Sequence, residues 1–221
     1  ETSFSPAAFD ASYRFITGEA PARTDIAAES AAVLNGKITG LGLNSTDPAS
    51  GSFSNNLPLR GAQLQVFMTD PATGARTGAP LLSRTVGADG VWGPLTVAPN
   101  VPVEFVLSAP GYATTHIYRS GFPRGSDLVH LRAERIADAD RTADAIVTVT
   151  RPRGYLDPAR DRMLLDGAPP PGVPAGAGVS SAKVKPAGPQ RAITAEFNDE
   201  RVTGQTWPAA QGHVVLLEIS Q

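Results

Sequence analysis

The chain contains no cysteine, which excludes disulfide frameworks, thiolate metal sites and cysteine nucleophiles, and leaves the redox compartment open. Lysine is nearly absent: three lysines stand against sixteen arginines, and the cations are scattered rather than clustered. With a net charge of −2 and only 6% aromatic residues, the chain lacks both the basic footprint and the stacking platforms of a nucleic-acid binder. No apolar run approaches the ~18 residues that a membrane-spanning helix needs. The sequence opens on Glu1 with neither Met nor a charged-then-apolar leader, so we expect a processed product or a piece of something longer.

What is present is β-sheet. With 221 residues and 41% apolar content, the chain can bury one or two substantial cores. Strand-like runs fall at Leu34–Leu41, Ala62–Thr69, Leu81–Val86, Val91–Val97, Val101–Ser108 and Thr114–Arg119, separated by Gly, Pro, Asn and Asp. Ala62, Leu64, Val66 and Met68 alternate with Gln63, Gln65 and Phe67, as one buried face requires. Asp89-Gly90 is a turn signal. Further on, LVHLRAER, AIVTVTR, RAITAEF and HVVLLEIS read as strands, and the last is almost continuously apolar, hence central. Between them, residues 167–189 are so rich in Pro and Gly that an extended, polyproline-like arm without sheet is expected.

One helix precedes all this. Ser5 is a good N-cap and Pro6 suits the first helical position. Phe9, Tyr13 and Ile16 then recur at helical spacing, and Gly18 stops the helix. The expected fold is therefore all-β: two consecutive β-sandwich modules behind one short N-terminal α-helix. The divisions are residues 1–20 (a helix closing a preceding domain), 21–33 (linker), 34–125 (first sandwich) and 126–221 (second unit).

Two resemblances follow. The run ETSFSPAAFDASYRFITG resembles the segment after the catalytic histidine in secreted bacterial lipases and esterases of the α/β-hydrolase family. This implies a catalytic domain in cis upstream of Glu1, ester substrate, and export to the periplasm or medium. The second lies in Gly36 to Gly40, Gly61-Ala62, Thr85, Asp89-Gly90, Trp92 and Pro110-Gly111-Tyr112. These resemble the transthyretin-like domains typified by carboxypeptidase regulatory modules, over about eighty residues. Residues 43–56, LNSTDPASGSFSNN, depart from that pattern as an insertion that is either a binding element or ornament.

Catalytic chemistry finds little purchase. A nucleophile elbow needs Gly-x-Ser-x-Gly between strand and helix. The nearest string, Gly178-Val179-Ser180-Ser181-Ala182, lies inside the Pro/Gly arm. His116 and His130 fall on the polar phase of their strands, where a solvated face is expected, and His213 begins the last strand. No histidine pair has helical metal-ligand spacing. Asp138, Asp140 and Asp144 alternate as in a calcium loop but lack its glycine and distal glutamate, so a solvated turn is expected. Asp157, Asp161 and Asp166 sit beside Arg160 and Arg162, which suggests local ion pairs. Accordingly no catalytic, cofactor or metal residue is assigned.

Aromatic residues are the candidates for a binding face, because planar rings stack on sugars or apolar chains at low entropic cost. Of Trp92, Tyr112, Tyr118, Phe122, Tyr155 and Trp207, the first two are expected in the core. Trp207, beside Pro208, and Phe53, in the insertion, are the expected surface-binding residues. The reading is a non-catalytic accessory region of a secreted lipase or esterase, which stabilises the catalytic domain or positions it on ester substrate. A carbohydrate- or surface-binding module of another secreted or cell-envelope protein is the alternative, and a lipid, polyester or polysaccharide surface is a candidate partner. A free-standing hydrolase is a third.

Overall fold

The structure is a computed structural model that describes all residues except 1–4, 26, 42–53, 153, 155, 175, 177 and 221. Helix α1 (Pro6–Thr17) begins where Ser5 Oγ accepts the Ala8 N–H at 3.1 Å. It ends where Gly18, at φ 77°, turns its N–H back to the Arg14 carbonyl. None of its residues is buried.

The remainder is β, in three layers. The first sheet centres on β1 (Ala32–Leu41). Along one edge of β1 run, in succession, β5 (Val91–Val97) and β2 (Ser54–Pro58), both antiparallel. On the other edge lies β8 (Ser126–Ala133), parallel to it. So tightly do β1 and β8 meet that a Cβ on Gly36 would stand 1.8 Å from the Val129 carbonyl oxygen.

The middle sheet has seven strands in the order β11-β9-β14-β7-β6-β3-β4. These are β3 (Gln63–Met68), β4 (Leu82–Thr85), β6 (Val103–Ser108), β7 (Thr114–Arg119), β9 (Val147–Thr150), β11 (Ser181–Val184) and β14 (His213–Glu218). β14 is parallel to both of its neighbours, β7 and β9. The third sheet is an antiparallel set of β10 (Met163–Leu165), β12 (Ala192–Phe197) and β13 (Glu200–Gln205).

Two cores separate the layers. The first joins Leu34, Ile38, Trp92 and Leu131 of the outer sheet to Leu64, Val66, Phe105, Ile117, Val214 and Leu216 of the middle one. Trp92 is fully buried, edge-on to Phe105 with ring centroids 5.4 Å apart, and donates its indole N–H to the Val129 carbonyl. The second core sets Val147, Val149, Tyr118, Val215 and Leu217 against Ile193, Ala195 and Val202 of the third sheet. Strand periodicity explains the division: Val214 and Leu216 point one way, Val215 and Leu217 the other. Burying such side chains is worth roughly 1.5–3 kcal/mol each. β14 therefore contributes to both cores, which accounts for its unbroken apolar sequence.

The two units expected from the sequence share the middle sheet. β8, expected at the head of the second unit, hydrogen-bonds to β1, while β9, β11 and β14 extend the sheet of the first. Three expectations are corrected. Ser181–Val184, inside the Pro/Gly arm, is a strand paired to β9, because SAKV is a short run free of Pro and Gly. β10 and β13 are strands that the sequence did not single out. Phe67 is buried and Met68 is 37% exposed, the reverse of the assigned phase, since Arg76 lies over the Phe67 ring while Gln63 and Gln65 on the same face stay exposed. Of the 43–56 insertion, residues 54–56 open β2, and the rest lies outside the described residues.

Candidate functional site

The middle sheet presents a row of polar side chains on the face that turns toward the third sheet. Glu104 comes from β6, His116 and Tyr118 from β7, and His213 from the start of β14. Register brings them together, since Glu104 pairs with Tyr118, and Val215 with His116. Glu104 is 0% exposed and His116 1%.

A buried carboxylate is tolerable only when its charge and lone pairs are met. Glu104 is met on both oxygens. Arg76 donates from Nε to Oε2 at 2.6 Å and from Nη2 to Oε1 at 3.2 Å, and His116 Nδ1 stands 2.6 Å from Oε1. His116 Nε2 in turn stands 2.8 Å from His213 Nδ1. The result is a continuous chain from guanidinium to carboxylate to two imidazoles.

Aromatic rings enclose the chain. Trp207 lies flat on His116, centroids 4.3 Å apart and planes within 8°, and 5.5 Å from His213. Its indole N–H donates to the Tyr118 hydroxyl at 3.2 Å. Arg76 covers Phe67 at 4.0 Å from the ring centre. Beside this cluster a cleft of about 200 Å³ is lined by Arg76, Tyr118, Gln190, Gln205 and Trp207.

The environment sets the protonation states. Burial pushes the Glu104 carboxyl up, but hydrogen bonds from His116 and Arg76 outweigh it and hold the group below the usual carboxylate range. Burial, then the nearby His116 and Arg76, lowers His213. Burial, reinforced by the charge of Glu104, raises the Tyr118 hydroxyl. The arrangement can hold and shift protons along the Glu104–His116–His213 line. The position at which an acyl-transfer relay would place its nucleophile is occupied by the imidazole of His213.

The expected solvated face at His116 is corrected: its polar phase faces a second protein layer, and it is buried against Trp207. His130 is exposed, 2.7 Å from Thr39 Oγ1. Trp207 is half-buried, packed on the second core and His116 rather than displayed on open surface. Phe53 and Tyr155 lie outside the described residues. Trp92 is core, and Tyr112 and Phe122 pack partly buried against the same core.

The other sequence candidates serve structure. Ser180 precedes β11, and its carbonyl accepts the Arg151 N–H. Asp140 is ion-paired to Lys183 and Lys185, which hold it below the usual range, and Asp144 accepts the Gly188 N–H, so this acidic turn pins the end of the arm. Asp161 pairs with Arg160, whereas Asp166 reaches Arg191. Among the described residues no three His, Asp or Glu side chains are placed to hold a metal. No described helix is long and apolar enough to cross a membrane.

Sequence reasoning missed Glu104 and Arg76. The signal for Glu104 was a single charge inside VPVEFVLS, an otherwise apolar strand; for Arg76, in the loop TGARTGA, no local signal exists.

Comparison with known proteins adds a family match over part of the chain. No curated protein matches the chain. Among solved structures, the shaft pilin SpaA from Lactobacillus rhamnosus GG matches at 13% identity and a TM-score of 0.32, covering 86% of this chain and 99% of the pilin. A double mutant of that pilin matches at 12% and 0.30, covering 87% and 98%. The family model described as lipase C-terminal domain matches residues 30–136, a span that runs from the strand β1 through β8 and so takes in the whole outer sheet. A domain of this kind implies a catalytic lipase domain in cis. Residues 30–136 thus match the lipase C-terminal domain family, which supports the chain as the C-terminal portion of a lipase.

Proposed function

We propose that the chain is the non-catalytic accessory region of an exported lipase or esterase, and that it stabilises the catalytic domain and positions it on ester substrate. The match of residues 30–136 to the lipase C-terminal domain carries this reading. Helix α1 supports it. Phe15 is 91% and Ile16 79% exposed, with Phe9 and Tyr13 beside them, and no described residue packs them into a core. An amphipathic helix with its apolar side unsatisfied suits contact with a further domain.

The test begins with the coding sequence ahead of Glu1, which should specify Gly-x-Ser-x-Gly on a strand-to-helix turn and a histidine shortly before this chain. The whole enzyme and a version lacking residues 30–221 are then compared on p-nitrophenyl esters and on an emulsified triglyceride. The shortened enzyme should melt at lower temperature and lose activity chiefly on the emulsion. An upstream sequence without the serine motif, or equal melting and equal emulsion activity, overturns the proposal.

A further inference from the structure

The Glu104–His116–His213 line limits how many protons it can hold with its hydrogen bonds intact. An ionised carboxylate only accepts, so His116 Nδ1, 2.6 Å from Glu104, carries hydrogen and donates. Neutral His116 then has its lone pair on Nε2, and accepts from the Nδ1–H of His213 across 2.8 Å. One added proton is accommodated in either of two ways. It sits on His213 Nε2, or it sits on His116 while His213 changes tautomer and becomes the acceptor; the bridge survives both. A second added proton leaves N–H facing N–H at 2.8 Å, with no acceptor between two cations. Glu104 can neutralise only one of them, and Arg76 already shares it.

The bridge spans a particular seam. His116 is on β7 and His213 opens β14, where the strands of the lipase C-terminal domain meet the β14-β9-β11 extension. At the other end of the same seam Arg119 pairs with Glu218. The groups that face the two imidazoles are Glu104 from β6, Tyr118 from β7 and Arg76 from the loop after β3. From β13 and the turn after it come only the neutral Gln205 and Trp207. Trp207, stacked on His116, ties that turn to the bridge.

We propose that the His116–His213 bridge is a proton-counting latch: the β7–β14 seam stays closed with no or one added proton and loosens when the pair takes up the second. Burial first, then His116 and Arg76, already disfavour charge on His213, which sets the opening on the acid side of an ordinary imidazole. Hydrogen bonds from His116 and Arg76 hold Glu104 below the usual carboxylate range, which favours its charged form in that window.

The test uses the whole 221-residue chain between pH 8 and pH 4. Nitrogen-15 NMR of the imidazoles reports which ring nitrogens carry hydrogen, and amide hydrogen exchange, corrected for the intrinsic pH dependence, reports the seam. As the second proton binds, the β14 amides bonded to β7 should lose protection at least tenfold, while those between β3 and β6 hold theirs. His213→Gln cannot take that proton and should keep neutral-pH protection down to pH 4. An acid-triggered loss of the same size in His213→Gln overturns the proposal. If that variant does not fold, the native chain decides: both imidazoles doubly protonated with seam protection unchanged overturns it equally.

Discussion

Arg76 grips both oxygens of Glu104, sharing Oε1 with His116, and at the same time lies over Phe67, 4.0 Å from its ring centre. One guanidinium thus closes two exposures, capping an aromatic ring with its face and a buried carboxylate with its edge.

Replacing Glu104 by Gln should therefore cost about 3 kcal/mol, the lower end for breaking a buried pair, because Arg76 is itself one-third exposed. Arg76 loses its counter-charge, and His116 Nδ1 loses its charged acceptor. Urea unfolding at pH 7 measures it, and a loss under about 1 kcal/mol would show that water compensates the pair.

The two cores should melt together. Leu216→Ala opens the first and Leu217→Ala the second, each at roughly 2–5 kcal/mol. Because both side chains hang from β14, each variant should lower a single calorimetric transition. Two resolved transitions, with each variant moving only one, would refute the coupling.

Gly204 of β13 lies close against the middle sheet. A Cβ there would stand 2.6 Å from a ring carbon of Tyr118 and 2.9 Å from Leu217. Gly204→Ala should destabilise by about 1–3 kcal/mol through overpacking. Near-ultraviolet circular dichroism should also change, because Tyr118 holds Trp207 by a hydrogen bond.

Much of this was legible in the sequence, and what was not shares one cause. Helix α1 was readable from Ser5 to Gly18 because its caps and spacing are local. β14 was readable as a central strand because both of its phases are apolar. Glu104 and His116 were not, because alternation separates the two faces of a strand without telling what covers each one. A polar phase facing water and a polar phase facing another sheet have the same pattern. Phe67 misled for the same reason. Arg76 and Trp207 reach the cluster from loops, whose placement no periodicity encodes.

Acid should act locally at Asp161, where hydrogen bonds chiefly from Arg160 hold the carboxyl down to about 2. A depressed carboxylate stabilises above its unfolded value of 3.8 and loses that contribution as the pH falls through its folded one. The Asp157 N–H, which Asp161 accepts at 2.9 Å, should keep its NMR shift down to pH 3 and move below it. Movement centred near pH 4 would show that the Arg160 pair contributes nothing.

Substitutions on the exposed side of α1 should be nearly silent in the isolated chain. Phe15→Ser and Ile16→Ser should change unfolding free energy by less than about 0.5 kcal/mol, since neither residue is buried. In the whole enzyme the same changes should lower its melting temperature. Silence in both settings would detach α1 from any inter-domain role.

The position of β14 sets an order on biogenesis. Its six residues complete the middle sheet between β7 and β9, yet among the described strands they are the last to be translated. Until His213–Glu218 has been made, the middle sheet lacks its joint between β7 and β9, and both cores lack the side chains that β14 supplies. Completion of either core therefore waits for the last of the described strands.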